Sequence, residues 1–175
     1  AKALASGESV QPVFIFDSRI LDRLEDPSDA RVSFIHGELM RLHAEIAAHG
    51  GHLWVVYGDP LVWHQAWASD PEIQGVYVNR DYEPYAGERD EAVARLYREA
   101  GKWSKWSKDH VLMEPKEVLK DDGTPYTVFT PYSRKWRSHF TPDHIMPYPT
   151  PRGGWNAGDA PYAMPTLEEM GFKAQ

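Results

Sequence analysis

Asn79-Arg80-Asp81-Tyr82-Glu83-Pro84-Tyr85, with Glu88-Arg89-Asp90 close behind, follows directly on the short apolar run Gly75-Val76-Tyr77-Val78. An apolar run of that length bounded by turn residues reads as a buried strand, which places the polar cluster at the strand's carboxyl end. In open α/β sheets ligands bind at that edge, so the cluster is a candidate binding site.

The same alternation extends in both directions. Upstream, Pro12-Val13-Phe14-Ile15-Phe16 reads as a fully buried strand ending at Asp17, after a helical turn closed by Gly7. Residues 17–29 are polar and turn-rich. Val32, Ile35, Leu39, Leu42 and Ile46 then recur at helical spacing until Gly50-Gly51 ends the helix. Leu53-Trp54-Val55-Val56-Tyr57 is the next strand, and Gly58-Asp59-Pro60 turns into a short helix over 61–68. Downstream, residues 88–100 form a helix with Val93, Leu96, Tyr97 and Ala100 inward, closed by Gly101, and a last strand lies within 103–113. Repeated strand–helix units predict a doubly wound, mainly parallel Rossmann-like sheet with helices on both faces. From residue 141 onward Pro and Gly dominate, so residues 1–140 read as an α/β domain and 141–175 as an extended linker with little core of its own.

Composition sets limits on function. At 175 residues the chain fits one domain of ordinary size. A formal net charge of -7 argues against a nucleic-acid grip within this segment, because phosphate binding needs a basic face. The absence of cysteine excludes disulfides, thiolate metal sites and a Cys nucleophile. No apolar run approaches the roughly 20 residues that span a bilayer, and the opening residues lack a signal peptide's apolar core, so the expectation is a soluble cytoplasmic protein. Among the eight histidines, His36 and His43 share a helix face seven residues apart without a third ligand at suitable spacing, so no metal site is expected. A Walker loop, a Gly-x-Gly-x-x-Gly run and a nucleophile elbow are all missing.

Several segments, in this order and spacing, resemble the amino-terminal α/β domain of the DNA photolyase and cryptochrome family. They are Pro12-Val13-Phe14-Ile15-Phe16-Asp17, Arg31-Val32-Ser33-Phe34-Ile35, Gly58-Asp59-Pro60, the block at 79–90, Lys108-Asp109-His110 and Tyr126-Thr127-Val128-Phe129-Thr130-Pro131-Tyr132. Residues 164–172 resemble the segment that leads into the family's helical half. The resemblance implies an antenna-chromophore domain joined by the linker to a helical domain that binds FAD and damaged DNA. It implies light-driven, flavin-dependent repair of pyrimidine dimers, a deoxyribodipyrimidine photo-lyase activity of the parent protein for which this segment alone is not sufficient. The family's opening strand has no counterpart before Ala1 and no helical domain follows, so the sheet is expected to lack its first central strand and the gene product to be longer at both ends.

Such photochemistry needs no protein nucleophile or acid–base pair, and no residue here is nominated as catalytic; the protein supplies position and electrostatics. The candidates for holding a planar antenna are Phe16 and Asp17 after the first strand, Arg31 at a helix start, and Asn79, Glu83 and Glu88 in the signature block. Arg31 suits an anionic ring or phosphate, and the two glutamates suit ring or ribityl donors. Folate-binding members carry Asn-Glu where this chain has Tyr85-Ala86, which favours a deazaflavin or FMN-like antenna over methenyltetrahydrofolate.

Plainer readings stand beside these. The block at 79–90 also reads as a structural loop in which Asn79 bonds turn backbone, Tyr82 packs and Arg89 pairs with Asp90. The stretch from Phe129 to Trp136 reads more readily as a packing anchor than as a ligand contact. Arg134, Lys135 and Arg137 form a short basic patch for which a solvated face competes with phosphate contact. Three functional classes stay open: a photolyase module, a cryptochrome-type blue-light photoreceptor module, and a stand-alone α/β small-ligand-binding protein.

Overall fold

The computed structural model describes residues 2–147 and 153–174. In chain order the elements are β1 (Val13–Asp17), α1 (Ser18–Leu21), α2 (Ala30–Ala47), β2 (Trp54–Gly58), α3 (Pro60–Ser69), β3 (Gly75–Asn79), α4 (Pro84–Glu99), β4 (Trp103–Ser107) and α5 (Phe129–His139), with short 3-10 turns at Leu4–Ser6 and Pro142–Ile145. The chain is α/β and both of its strand pairings are parallel, as the alternation predicts. β1 pairs with β2 and β3 with β4, so the four strands form two sheets of two. Each pair is a βαβ unit, the connection passing through α1 and α2 in the first and α4 in the second. The chain divides into two compact units, Ala1–Ile73 with Pro149–Gln175, and Gln74–Tyr148.

In the first unit the helices begin where the local chemistry dictates. Asp29 accepts the Arg31 backbone N–H at 2.9 Å to cap α2, and Asp59 accepts that of Leu61 at 2.9 Å to cap α3, with Pro60 in the first helical turn. The inward stripe of α2 is narrower than the apolar spacing predicts. Val32, Leu39 and Ile46 are buried, whereas Ile35 and Leu42 are exposed. At 100° per residue the buried line runs between those three residues and His36 and His43, which bond the carbonyls of Pro165 at 2.9 Å and Leu53 at 3.2 Å. Ile35 and Leu42 fall on the flank of that line.

Residues 153–174 of the Pro/Gly-rich tail belong to this unit and, apart from a parallel bridge between Val10 and Trp155, carry no helix or strand. Val10 donates to the Gly154 carbonyl and accepts from Asn156, both at 2.8 Å. Tyr162 meets Trp54 and Trp63 edge-on at 5.2 and 5.3 Å. The segment expected to have little core of its own supplies Leu167, Met170 and Phe172 to the same cluster as Phe16, Val32, Leu39 and Val55. Burying such a side chain is worth about 1.5–3 kcal/mol, enough to hold an otherwise irregular segment in place.

In the second unit α4 starts a turn earlier than its apolar spacing predicts, at Pro84, a residue favoured at the first helical position. Ala86, Val93 and Tyr97 form its buried face, and burial pushes the Tyr97 hydroxyl up to about 12. On β3–β4, Lys105 sits over both Tyr77 and Trp103, at 5.1 and 4.6 Å from their ring centres. α5 falls where the sequence shows a Thr-Pro-Tyr motif. Pro131 is tolerated because it lies in the first turn, where backbone N–H groups lack helical partners anyway.

Candidate functional site

Of the candidate residues, Phe16, Asp17 and Asn79 stand at the carboxyl ends of strands, and Arg31, Glu83 and Glu88 at helix starts. In the first unit β1 and β2 end level with each other, Asp17 opposite Gly58. Asp17 is buried, and its carboxylate caps α1 by accepting the Arg19 backbone N–H at 2.9 Å. Phe16 is buried in the core, edge-on to Phe14 at 5.0 Å and stacked with His36 at 6.3 Å. Two ties cross the strand ends. Arg19 makes a two-pronged bond to one carboxylate oxygen of Asp59, at 3.0 and 2.6 Å, and Tyr57 donates to Asp22 at 2.8 Å. That bond, followed by burial, raises the Tyr57 hydroxyl above its ordinary value.

Arg31 projects from the start of α2 with 73% of its side chain exposed. Its Nε and Nη2 engage Asp29, at 3.0 and 2.5 Å for the shorter contacts. The guanidinium's bonds, then the backbone N–H of Arg31, hold the Asp29 carboxyl down at about 2. The Nη1 edge is unengaged among the described residues, so Arg31 keeps donors for an anionic group.

In the second unit Asn79 closes β3 opposite Ser107 of β4. Its amide donates to Asp109 at 2.9 Å, so its contact is a carboxylate after the neighbouring strand rather than turn backbone. Arg80 bonds Glu114 at 2.8 Å, and Tyr82 donates to the same Glu114 oxygen at 3.2 Å. Lys108 bonds Glu117 at 2.8 Å. The Asn79, Arg80 and Tyr82 contacts fasten the signature block to the segment after β4, within which Lys108 and Glu117 form a brace. Asp81 feels partial burial, which raises it. The backbone N–H groups of Glu83 and Tyr82, with His110 and Arg89, outweigh that and leave it below the ordinary carboxylate range. Arg89 pairs with Asp90 at 2.9 Å, as the plainer reading anticipates, and burial keeps the Asp90 carboxyl raised in spite of that partner.

Glu83 stands at the cap position of α4 without using its side chain there, and Glu88 follows one turn later. Among the described residues neither carboxylate has a hydrogen-bond or ion-pair partner. The six candidates therefore divide three and three between the units. Two are occupied structurally, Phe16 in the core and Asp17 as a cap. Four retain open polar capacity: Arg31 at Nη1, Asn79 at its amide oxygen, and the Glu83 and Glu88 carboxylates. Within the second unit, the three acceptor groups of Asn79, Glu83 and Glu88 suit a ligand that carries N–H or hydroxyl donors; within the first, the Arg31 fork suits an anionic group.

Asp22, Asp59, Asp109 and Glu114 are site neighbours that sequence spacing missed. Asp59 has a visible signal as a helix cap. The others are brought in by contacts that span 30 or more residues, which local patterns do not encode. Among the described residues no group of three His, Asp or Glu is arranged to hold a metal, and no helix is long and apolar enough to cross a membrane.

A family model described as DNA photolyase matches residues 1–152. The deoxyribodipyrimidine photo-lyase of Synechococcus sp. (strain ATCC 27144) is 31% identical over 151 residues, 86% of this chain and 30% of that protein. A photolyase structure from the archaeon Sulfolobus tokodaii, described with two FAD molecules and an implied novel light-harvesting cofactor, is 30% identical. It matches with a TM-score of 0.60 over 76% of this chain and 29% of its own. A bacterial class III photolyase from Agrobacterium tumefaciens matches in fold, with a TM-score of 0.72 at 24% identity over 95% of this chain and 33% of its own. The chain thus spans about a third of the length of these photolyases.

Proposed function

The chain belongs to the DNA photolyase family, and we propose that it serves as the amino-terminal, antenna-binding α/β domain of a deoxyribodipyrimidine photo-lyase. The observation that carries this reading is the open polar capacity at the carboxyl ends of parallel strands, within a chain matched to the family over residues 1–152. The antenna is a flavin or deazaflavin-type ring. A relative 30% identical that holds two FAD molecules supports that class, as does Tyr85-Ala86 in place of a folate-type Asn-Glu.

When bound, the antenna supplies light absorption and passes its excitation to the FAD of the helical domain. The protein's own work is to position it. In the second unit Glu83 and Glu88 would accept from ring or ribityl donors and Asn79 would accept through its amide oxygen; in the first unit Arg31 would offer Nη1 to an anionic group. Phe16 and Asp17 act from behind, fixing the end of β1 by core packing and capping. The partners are the helical FAD domain of the same polypeptide and, through it, damaged DNA in the cytoplasm. Relatives named as photo-lyases favour repair over photoreceptor signalling.

The test is repair. The longer polypeptide, given ultraviolet-damaged DNA, restores paired pyrimidines under blue light and not in the dark. Light-independent or absent repair by a flavin-loaded protein would remove the photolyase reading and leave the photoreceptor one.

A further inference from the structure

α5 is a helix without a core. Its 11 residues bury no side chain, and Val128, at its cap position, supplies no side-chain bond. Isolated helices shorter than about 12–15 residues are marginal in water, and Thr130, Pro131, Tyr132 and Ser133 are weak helix formers. Such a helix needs a packed face. Its apolar side is instead turned outward, with Phe129 at 77% exposed, Val128 at 61% and Tyr132 at 37%. Phe129 and Tyr132 are neighbours at helical spacing. Tyr132 also forms one wall of a groove of about 310 Å³ with Tyr82, Tyr126, Met113 and Val118. The groove brings the signature block and the Thr-Pro-Tyr motif onto one surface.

The charges of α5 are also one-sided. The helix contains Arg134, Lys135 and Arg137 and no carboxylate. Lys135 reaches the exposed Asp121 at 3.4 Å, whereas among the described residues Arg134 and Arg137 have no partner. The outward face of α2 offers a contrast. It too exposes apolar side chains, Phe34 and Leu42, but its charges are mutually paired, Arg41 with Glu38 at 2.5 Å and with Glu45 at 3.4 Å. The α5 surface, by comparison with that of α2, exposes Phe129 and Tyr132 beside two arginines that have no partner among the described residues.

We propose that α5, with the tyrosine groove beside it, is the docking face for the remaining part of the photolyase polypeptide, which meets it with apolar side chains flanked by carboxylates. This rests on the photolyase reading, in which the matched relatives carry about two thirds of their length outside the region this chain covers. Phe129 and Tyr132 enter the partner surface, and Arg134 and Arg137 pair with acidic groups at its rim, where charge sets register more than affinity.

Hydrogen exchange across residues 132–139 tests the proposal, compared between the 175-residue chain and the full-length polypeptide purified from its host. The expected result is rapid exchange in the chain alone and protection on the order of 100-fold in the full polypeptide. Phe129→Asp leaves the melting temperature of the 175-residue chain unchanged, because the ring is exposed there, and removes the protection in the full polypeptide. Protection that appears in the chain alone as its concentration rises assigns the face to a second copy and overturns the proposal. So does protection that appears only on adding DNA. A full polypeptide in which α5 exchanges as fast as in the chain overturns the docking and leaves the photolyase reading standing. A native polypeptide no longer than 175 residues overturns both.

Discussion

Asn79 donates its side-chain amide to Asp109 at 2.9 Å, tying the end of β3 to the segment that leaves β4. The bond links two parallel strands at their carboxyl ends, the level at which the open groups of the signature block lie. The amide nitrogen of Asn79 is thereby committed to Asp109, while its amide oxygen stays open among the described residues.

Asn79→Ala removes one hydrogen bond to a charged acceptor and is expected to cost about 1 kcal/mol, read as a lower urea midpoint. Asn79→Asp sets a second carboxylate against Asp109 and is expected to cost more, with the excess shrinking as salt is added. Equal midpoints for the two variants at low salt would mean that this bond does not form.

Met170→Ala is expected to destabilise the protein by about 2–5 kcal/mol, since Met170 is buried with Phe16, Leu39 and Phe172. Met40→Ala, at an exposed position of α2, serves as the comparison and should stay within about 0.5 kcal/mol. Two similar denaturation curves would show the tail to be a detached linker.

The Asp29 carboxyl is held at about 2, below its ordinary 3.8, by its bonds to Arg31. Because the folded value is the lower one, the stabilisation it brings is complete above pH 3.8 and is lost as pH falls through 2. Asp29→Asn should therefore flatten the acid limb of the stability curve between pH 4 and 2. A carboxyl titration by NMR with its midpoint near 3.8 would contradict the pairing.

Arg31→Ala and Glu83→Ala are expected to lower antenna occupancy in the full polypeptide while dimer repair persists at saturating light and falls in dim light. Neither side chain supports the fold beyond the Asp29 pair, so circular dichroism should be unchanged. Wild-type occupancy in both variants would remove these residues from the site.

The strands and the helices α2, α3 and α4 were legible because each carries its own period and punctuation, such as Val32, Leu39 and Ile46 between the Asp29 cap and Gly50-Gly51. α5 was harder to see. Its first turn, Phe129-Thr130-Pro131-Tyr132, has the composition of a loop, and its apolar side faces outward rather than toward a local core. The tail hid its role for a different reason. Pro and Gly mark its irregular backbone, while the burial of Leu167, Met170 and Phe172 depends on contacts more than 100 residues away in sequence, among them the bond from His36 to the Pro165 carbonyl. In the candidate site the polar residue types were visible, but their commitments were not. No local pattern announces that Asn79 meets Asp109 or that Arg80 and Tyr82 share Glu114.

The absorption spectrum of the full polypeptide, purified in the dark from its own host, tests the antenna assignment most directly. Flavin bands are expected together with a second near-ultraviolet or blue band, and that second band is lost in Arg31→Ala and Glu83→Ala. Flavin bands alone, in a protein whose α/β domain is intact, would contradict the antenna assignment.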